Sequence, residues 1–116
     1  TIQACAQVAR EENREYMIDL MEVPKEKLPV LAKVFPDAVF CVHLPADRRG
    51  AGLQDLIERV RVPLNGAKRL AVAGGITLDV VKRLNGGRFE IAIVGGAITE
   101  APDPMKGARE FCRLAR

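Results

Sequence analysis

Gly74 with Gly75 and Gly95 with Gly96 are the residues of this chain best suited to handling an anion. Each pair closes a near-copy of one phrase, LAVAGGIT from Leu70 and IAIVGGAIT from Ile91. The pairs stand 21 residues apart, the length of one strand-loop-helix repeat. A glycine pair lets a ligand approach unhindered backbone N–H groups, and a helix beginning just beyond adds the positive end of its dipole. Two such loops side by side suit a phosphate, so the four glycines are the candidate phosphate-binding residues. The plainer reading, tight strand-to-helix turns, is open to either pair taken alone.

Two further residues belong to this set. Asp19 interrupts an apolar stretch, and a carboxylate buried there without a partner would be costly, so it should face a polar site or a cation, or sit in a structural ion pair. His43 ends a second apolar stretch and precedes a polar loop with Asp47, Arg48 and Arg49, where an imidazole can donate to a substrate oxygen or shuttle a proton. A packed, hydrogen-bonded structural histidine is the competing reading. Loop arginines are more often simply solvated, so Arg48 and Arg49 are left out of the candidate catalytic pair, His43 and Asp19.

Positioning these groups requires parallel strands with short connections. Ile2, Cys5, Ala6, Val8 and Ala9 make one helical stripe within residues 1–13. Residues 16–23 (YMIDLMEV) read as a strand covered on both faces, and Pro24 opens a helix to about Val34 that Pro29 should kink or delay. Residues 37–43 form the next strand, followed by a helix over 53–60 striped by Leu53, Leu56, Ile57 and Val60. A strand over 69–73 leads to a helix over 78–84, with Thr77 as its N-cap and Asn85, Gly86 and Gly87 as its stop. Residues 90–94 are the last strand, and Asp103 and Pro104 open the final helix. One helix followed by four strand-helix pairs implies parallel strands joined by right-handed crossovers. In such folds the working residues lie at the C-terminal ends of the strands, where Asp19, His43 and both glycine pairs fall.

Length is the anomaly, because 116 residues make one domain but only about half of a closed β/α barrel of ~250 residues. The +3 charge is spread thinly, Trp is absent and Tyr16 is alone of its kind, which argues against a nucleic-acid partner. Cys5, Cys41 and Cys112 are odd in number and far apart, with one histidine in the chain. Neither a disulfide framework nor a zinc site is expected, and reduced cytoplasmic thiols are. Apolar runs never approach the ~18 residues of a membrane span, and no secretory leader pattern occurs, so no membrane partner is expected. Thr1 in place of an initiator Met points to a processed product or a piece of a longer chain.

Taken together, TIQAC, MIDLMEV, FCVH followed by Asp47 and Gly50, LAVAGGIT, and IAIVGGAIT followed by PDP resemble the 3-hexulose-6-phosphate synthase and 3-keto-L-gulonate-6-phosphate decarboxylase family. These are β/α barrels of the orotidine-monophosphate-decarboxylase suprafamily. The resemblance covers essentially the whole chain and implies the C-terminal half of a TIM (β/α)8 barrel, strands five to eight, as a single domain over 1–116. It also implies that Asp19 is the acidic residue ending strand five, that His43 is the histidine ending strand six, and that the glycine pairs are the phosphate loops. In the lyase reaction Asp19 would orient a lysine on another strand.

The family's magnesium ion is held by groups on strands one to three, including a D-x-K-x-x-D run, and none of these has a counterpart here. No metal ligand is therefore assigned to this chain. The implied partners are ribulose 5-phosphate or a hexulose 6-phosphate, and either a second copy or the missing half-barrel. Leu44, Pro45 and Ala46 depart from the usual polar or glycine-containing stretch, which leaves the sugar open. The decarboxylase branch tends to carry arginine where Ala46 and Gly96 stand, so the synthase branch of carbohydrate metabolism fits better. The alternatives are the decarboxylase, a related sugar-phosphate barrel enzyme, and a non-catalytic half-barrel that binds phosphate. In any of these, half a barrel should expose two sheet edges and an apolar face and so should associate.

Overall fold

The computed structural model describes residues 1–43, 64, 69–84 and 89–115. The expected helix over 53–60, the loop with Asp47, Arg48 and Arg49, the stretch Leu44, Pro45 and Ala46, and the stop at Asn85, Gly86 and Gly87 lie outside the described residues.

Helix α1 (Ile2–Glu11) starts where the Thr1 hydroxyl accepts the Ala4 N–H at 3.2 Å. It ends with Asn13 in the left-handed conformation at φ 51°, a geometry that asparagine tolerates better than most residues. There the Arg14 N–H donates to Ala9 O and the Asn13 N–H to Arg10 O, so two carbonyls left over at the helix end find partners. Of its expected apolar stripe only Ala6 is buried, while Ile2, Cys5 and Val8 are exposed. The stripe is real as a spacing but turns largely to solvent; Ala6 packs into the core, and Arg10 adds a polar tie beside the sheet. The Arg10 guanidinium donates to both oxygens of Asp37, which also accepts from the Tyr16 hydroxyl at 2.7 Å.

Strand β1 (Met17–Asp19) is shorter than the stretch 16–23 and is not covered on both faces, because Ile18 is buried whereas Met17 and Asp19 are exposed. Beyond it the Leu20 N–H still donates to Cys41 O, and then a turn over 20–23 closes with the Val23 N–H on Leu20 O. Glu22 takes φ 61° in that turn, a left-handed conformation uncommon for a residue with a side chain. A 3-10 turn (Lys25–Lys27) leads into α2 (Leu28–Val34). Pro29 delays the start rather than kinking the helix, since in the first turn its missing N–H would have had no partner.

Strands β2 (Val39–His43) and β3 (Arg69–Ala73) are the buried centre of the sheet. Helix α3 (Leu78–Leu84) begins at Thr77, whose hydroxyl accepts the Val80 N–H. Strand β4 (Phe89–Ala92) starts one residue earlier and ends two residues earlier than the expected 90–94. A short helix α4 (Gly96–Thr99), absent from the sequence reading, follows it. Helix α5 (Pro104–Leu114) is capped by Asp103, which accepts the Lys106 N–H at 3.0 Å.

The four strands pair in parallel in the order β1-β2-β3-β4. On one face Ile18, Phe40, Val42 and Leu70 pack with Ala6, Leu28, Ala32 and Phe35 from the helical layer, and Val72 packs with Ile76, Val80, Val81 and Leu84. The other face carries Val39, Cys41, Ala71 and Ala73 against Ile91. The expectation of an exposed apolar face therefore fails at its centre, where these side chains are at most 6% exposed. Exposure remains at Met17, Met21 and Ile93.

Candidate functional site

Pairing register decides which groups meet. Asp19 is the Cα partner of Cys41, and His43 is the partner of Ala73, which immediately precedes Gly74. Residues aligned across parallel strands share a face, and residues two apart along a strand share it too. Asp19, Cys41, His43 and Ala73 thus lie on the small-residue face, with Asp19, His43 and Ala73 at the C-terminal ends of their strands.

There the carboxylate and the imidazole join, with His43 Nδ1 2.8 Å from Asp19 Oδ2. The second carboxylate oxygen, Oδ1, accepts the Met21 N–H at 2.9 Å. Asp19 is thus partnered through both oxygens, and its side chain is half exposed rather than buried as the sequence suggested. Cys41, which the sequence reading did not place in the site, stands opposite Asp19 in register, and burial together with the nearby Asp19 charge pushes its thiol up to about 11. Its position two residues before His43 was the available signal.

The two glycine pairs differ in why they are glycine. Gly74 and Gly75 have φ 85° and 59°, where a side chain would be strained, so their turn alone accounts for them. Gly95 has φ −108°, outside that region, and a Cβ placed there would meet nothing within 4 Å. Internal crowding does not require glycine at this position. At Gly96 a Cβ would lie 3.2 Å from the Glu100 carboxylate oxygen, a flexible side chain. The loops are neighbours, because the Ile93 N–H donates to Val72 O at 2.8 Å just before both of them.

A cavity of about 620 Å³ opens elsewhere, between α3, α4 and α5, with Leu78, Lys82, Ala101, Lys106 and Phe111 in its walls. None of Asp19, His43 and the four glycines lines it. Among the described residues no group of three His, Cys, Asp or Glu side chains is arranged to hold a metal ion, and no helix is long and apolar enough to cross a membrane.

Helices packed on a parallel sheet, with glycine loops and an acid-imidazole pair gathered at the strand ends, define an α/β unit of the kind that builds β/α barrels. Comparison with known proteins gives that class a more particular likeness. The 3-hexulose-6-phosphate synthases of Staphylococcus aureus strains MSSA476 and MRSA252 are each 30% identical over 119 residues, spanning 99% of this chain and 55% of theirs. The crystal structure of 3-hexulose-6-phosphate synthase from Salmonella typhimurium has a TM-score of 0.77 and 32% identity, covering 98% of this chain and 55% of that one. A second solved 3-hexulose-6-phosphate synthase, at 23% identity and a TM-score of 0.75, shares the fold. No family model matches the chain. The resemblance read from the sequence is borne out along essentially the whole chain, which spans about half the length of the relatives it matches.

Proposed function

We propose that this chain is the C-terminal half, barrel strands five to eight, of an aldehyde lyase of the 3-hexulose-6-phosphate synthase type, joining formaldehyde to ribulose 5-phosphate or running the reverse cleavage. The observation that carries this reading is the meeting of two glycine loops on adjacent strands with the Asp19–His43 pair on the next two strands of one parallel sheet. That meeting occurs in a chain matched over 99% of its length by synthases. In this reading residues 1–116 are one cytoplasmic domain, half of a ribulose-phosphate-binding barrel. The Gly74–Gly75 and Gly95–Gly96 loops present backbone N–H groups to the phosphate, and His43 serves the sugar as a polar or proton-shuttling group.

Asp19 is engaged with His43 and Met21, so orienting a lysine on another strand would be a second task for it. The described residues do not make a magnesium site. The single strand-end carboxylate among them has both oxygens occupied, and no three-ligand cluster exists among them. A resident magnesium ion, with its Lewis-acid chemistry, would depend on groups from the complementary half. The chain alone is therefore expected to bind sugar phosphate without turning it over.

Calorimetric titration with ribulose 5-phosphate and with ribulose tests this, using a Gly95→Leu variant. Because a Cβ at Gly95 would meet nothing within 4 Å, the variant should remain folded, as an unchanged circular dichroism spectrum would show, while losing binding. Equal affinity for the two sugars, or unchanged affinity in the variant, would remove the phosphate-loop assignment.

A further inference from the structure

The chain's single histidine has a defined chemical state written into its surroundings. Its Nδ1 faces a carboxylate oxygen at 2.8 Å, and among the described residues Nδ1 is the ring nitrogen that has a partner. An ionised carboxylate only accepts hydrogen bonds, so the nitrogen facing it must carry the proton. In the neutral ring Nε2 is then left without one. This is the reverse of the Nε2–H form that an unconstrained imidazole favours.

The carboxylate is itself held. Met21 donates its backbone N–H to Oδ1 from within the turn over 20–23, and that turn places Glu22 at φ 61°. A non-glycine residue in the left-handed region persists only where its surroundings over-determine it, and such residues cluster at functional sites. Here the turn directs one carboxylate oxygen to the backbone and leaves the other for the imidazole. Cys41, buried opposite Asp19 in register, favours the neutral thiol and adds no competing charge.

We infer that Asp19, fixed by the strained turn at Glu22, is a positioning residue that acts through His43, holding the neutral imidazole as the Nδ1–H tautomer with Nε2 as a proton acceptor. The use of that acceptor on a sugar phosphate rests on the function proposed above, but the tautomer does not. The two therefore fail separately. A ring held in this way can take a proton at Nε2 and return it from the same atom, whereas in its neutral form it cannot donate from Nε2.

Nitrogen-15 NMR of the imidazole reads this directly, because one histidine gives one set of ring signals. Spectra are recorded at a pH above which they no longer change, where the ring is neutral. The parent chain should then show Nδ1 in the protonated, pyrrole-type range and Nε2 in the unprotonated, pyridine-type range. Asp19→Ala should shift the balance to Nε2–H. Glu22→Gly, which keeps the turn and relieves its strain, should leave the parent pattern in place. An Nε2–H majority in the parent overturns the inference without any variant, and so does an Asp19→Ala spectrum unchanged from it. Loss of ribulose 5-phosphate binding with the Nδ1–H signature intact would instead count against the proposed function alone.

Discussion

Cys41 shows how closely the candidate site is tied to the core. It stands beside Asp19 in register and is 1% exposed, so ionising it would bury a second negative charge next to the carboxylate. Its pKa is accordingly pushed from 9.0 to about 11 by burial and then by Asp19. In the unfolded chain the thiol loses its proton first. Stability is therefore whole below the unfolded value of 9.0 and falls as pH rises towards about 11. Denaturant unfolding across this window should show that decline, and Cys41→Ser should flatten it; a parent curve that is flat over the same range would contradict the assignment. Asp19 and His43 were legible in the sequence because each departs from an apolar strand. Their hydrogen bond was not, because register is a property of two strands and is invisible in either one.

At the scale of elements, α1 is joined to the N-terminal side of the sheet by Ala6 in the core and by the clasp of Arg10, Asp37 and Tyr16. Hydrogen bonds from Arg10, and then from Tyr16, hold the Asp37 carboxyl well below the usual carboxylate range. A lowered folded-state pKa means that this stabilisation is present above the unfolded value and is lost as pH falls through the folded one. The melting temperatures of the parent and of Asp37→Asn should therefore differ at about pH 6 and converge towards about pH 2, since an unfolded aspartate titrates near 3.9. A gap of constant size would mean that the clasp carries no charge-dependent stability. Both partners are about half exposed, so the effect should be modest. Strand β3, helix α3 and the cap at Asp103 match their sequence expectations because Thr77, Asp103 and Pro104 are local signals. Strand β1 was over-read because the run of apolar residues in YMIDLMEV does not reveal that the chain turns at Glu22. Helix α4 was missed because it is a four-residue turn following a glycine pair, too short to show a period.

For the molecule as a whole, four parallel strands with their helices on one face leave β1 and β4 as edges among the described residues. All-parallel sheets occur almost only with both faces covered, and open edges pair with other chains. The chain alone should therefore associate, through a second copy or a complementary half-barrel, despite the burial of Val39, Cys41, Ala71 and Ala73. Sedimentation should show species heavier than 12.7 kDa that grow with concentration, and a single 12.7 kDa species at all concentrations would show the unit to be self-sufficient. In the proposed function the strand ends, and not the cavity between α3, α4 and α5, receive the sugar phosphate. Backbone amide NMR during titration with ribulose 5-phosphate tests it most directly. Signals of Gly74, Gly75, Gly95 and Gly96 should move with ribulose 5-phosphate and stay still with ribulose. Shifts confined to Lys82, Lys106 and their neighbours, or equal responses to the two sugars, would contradict it.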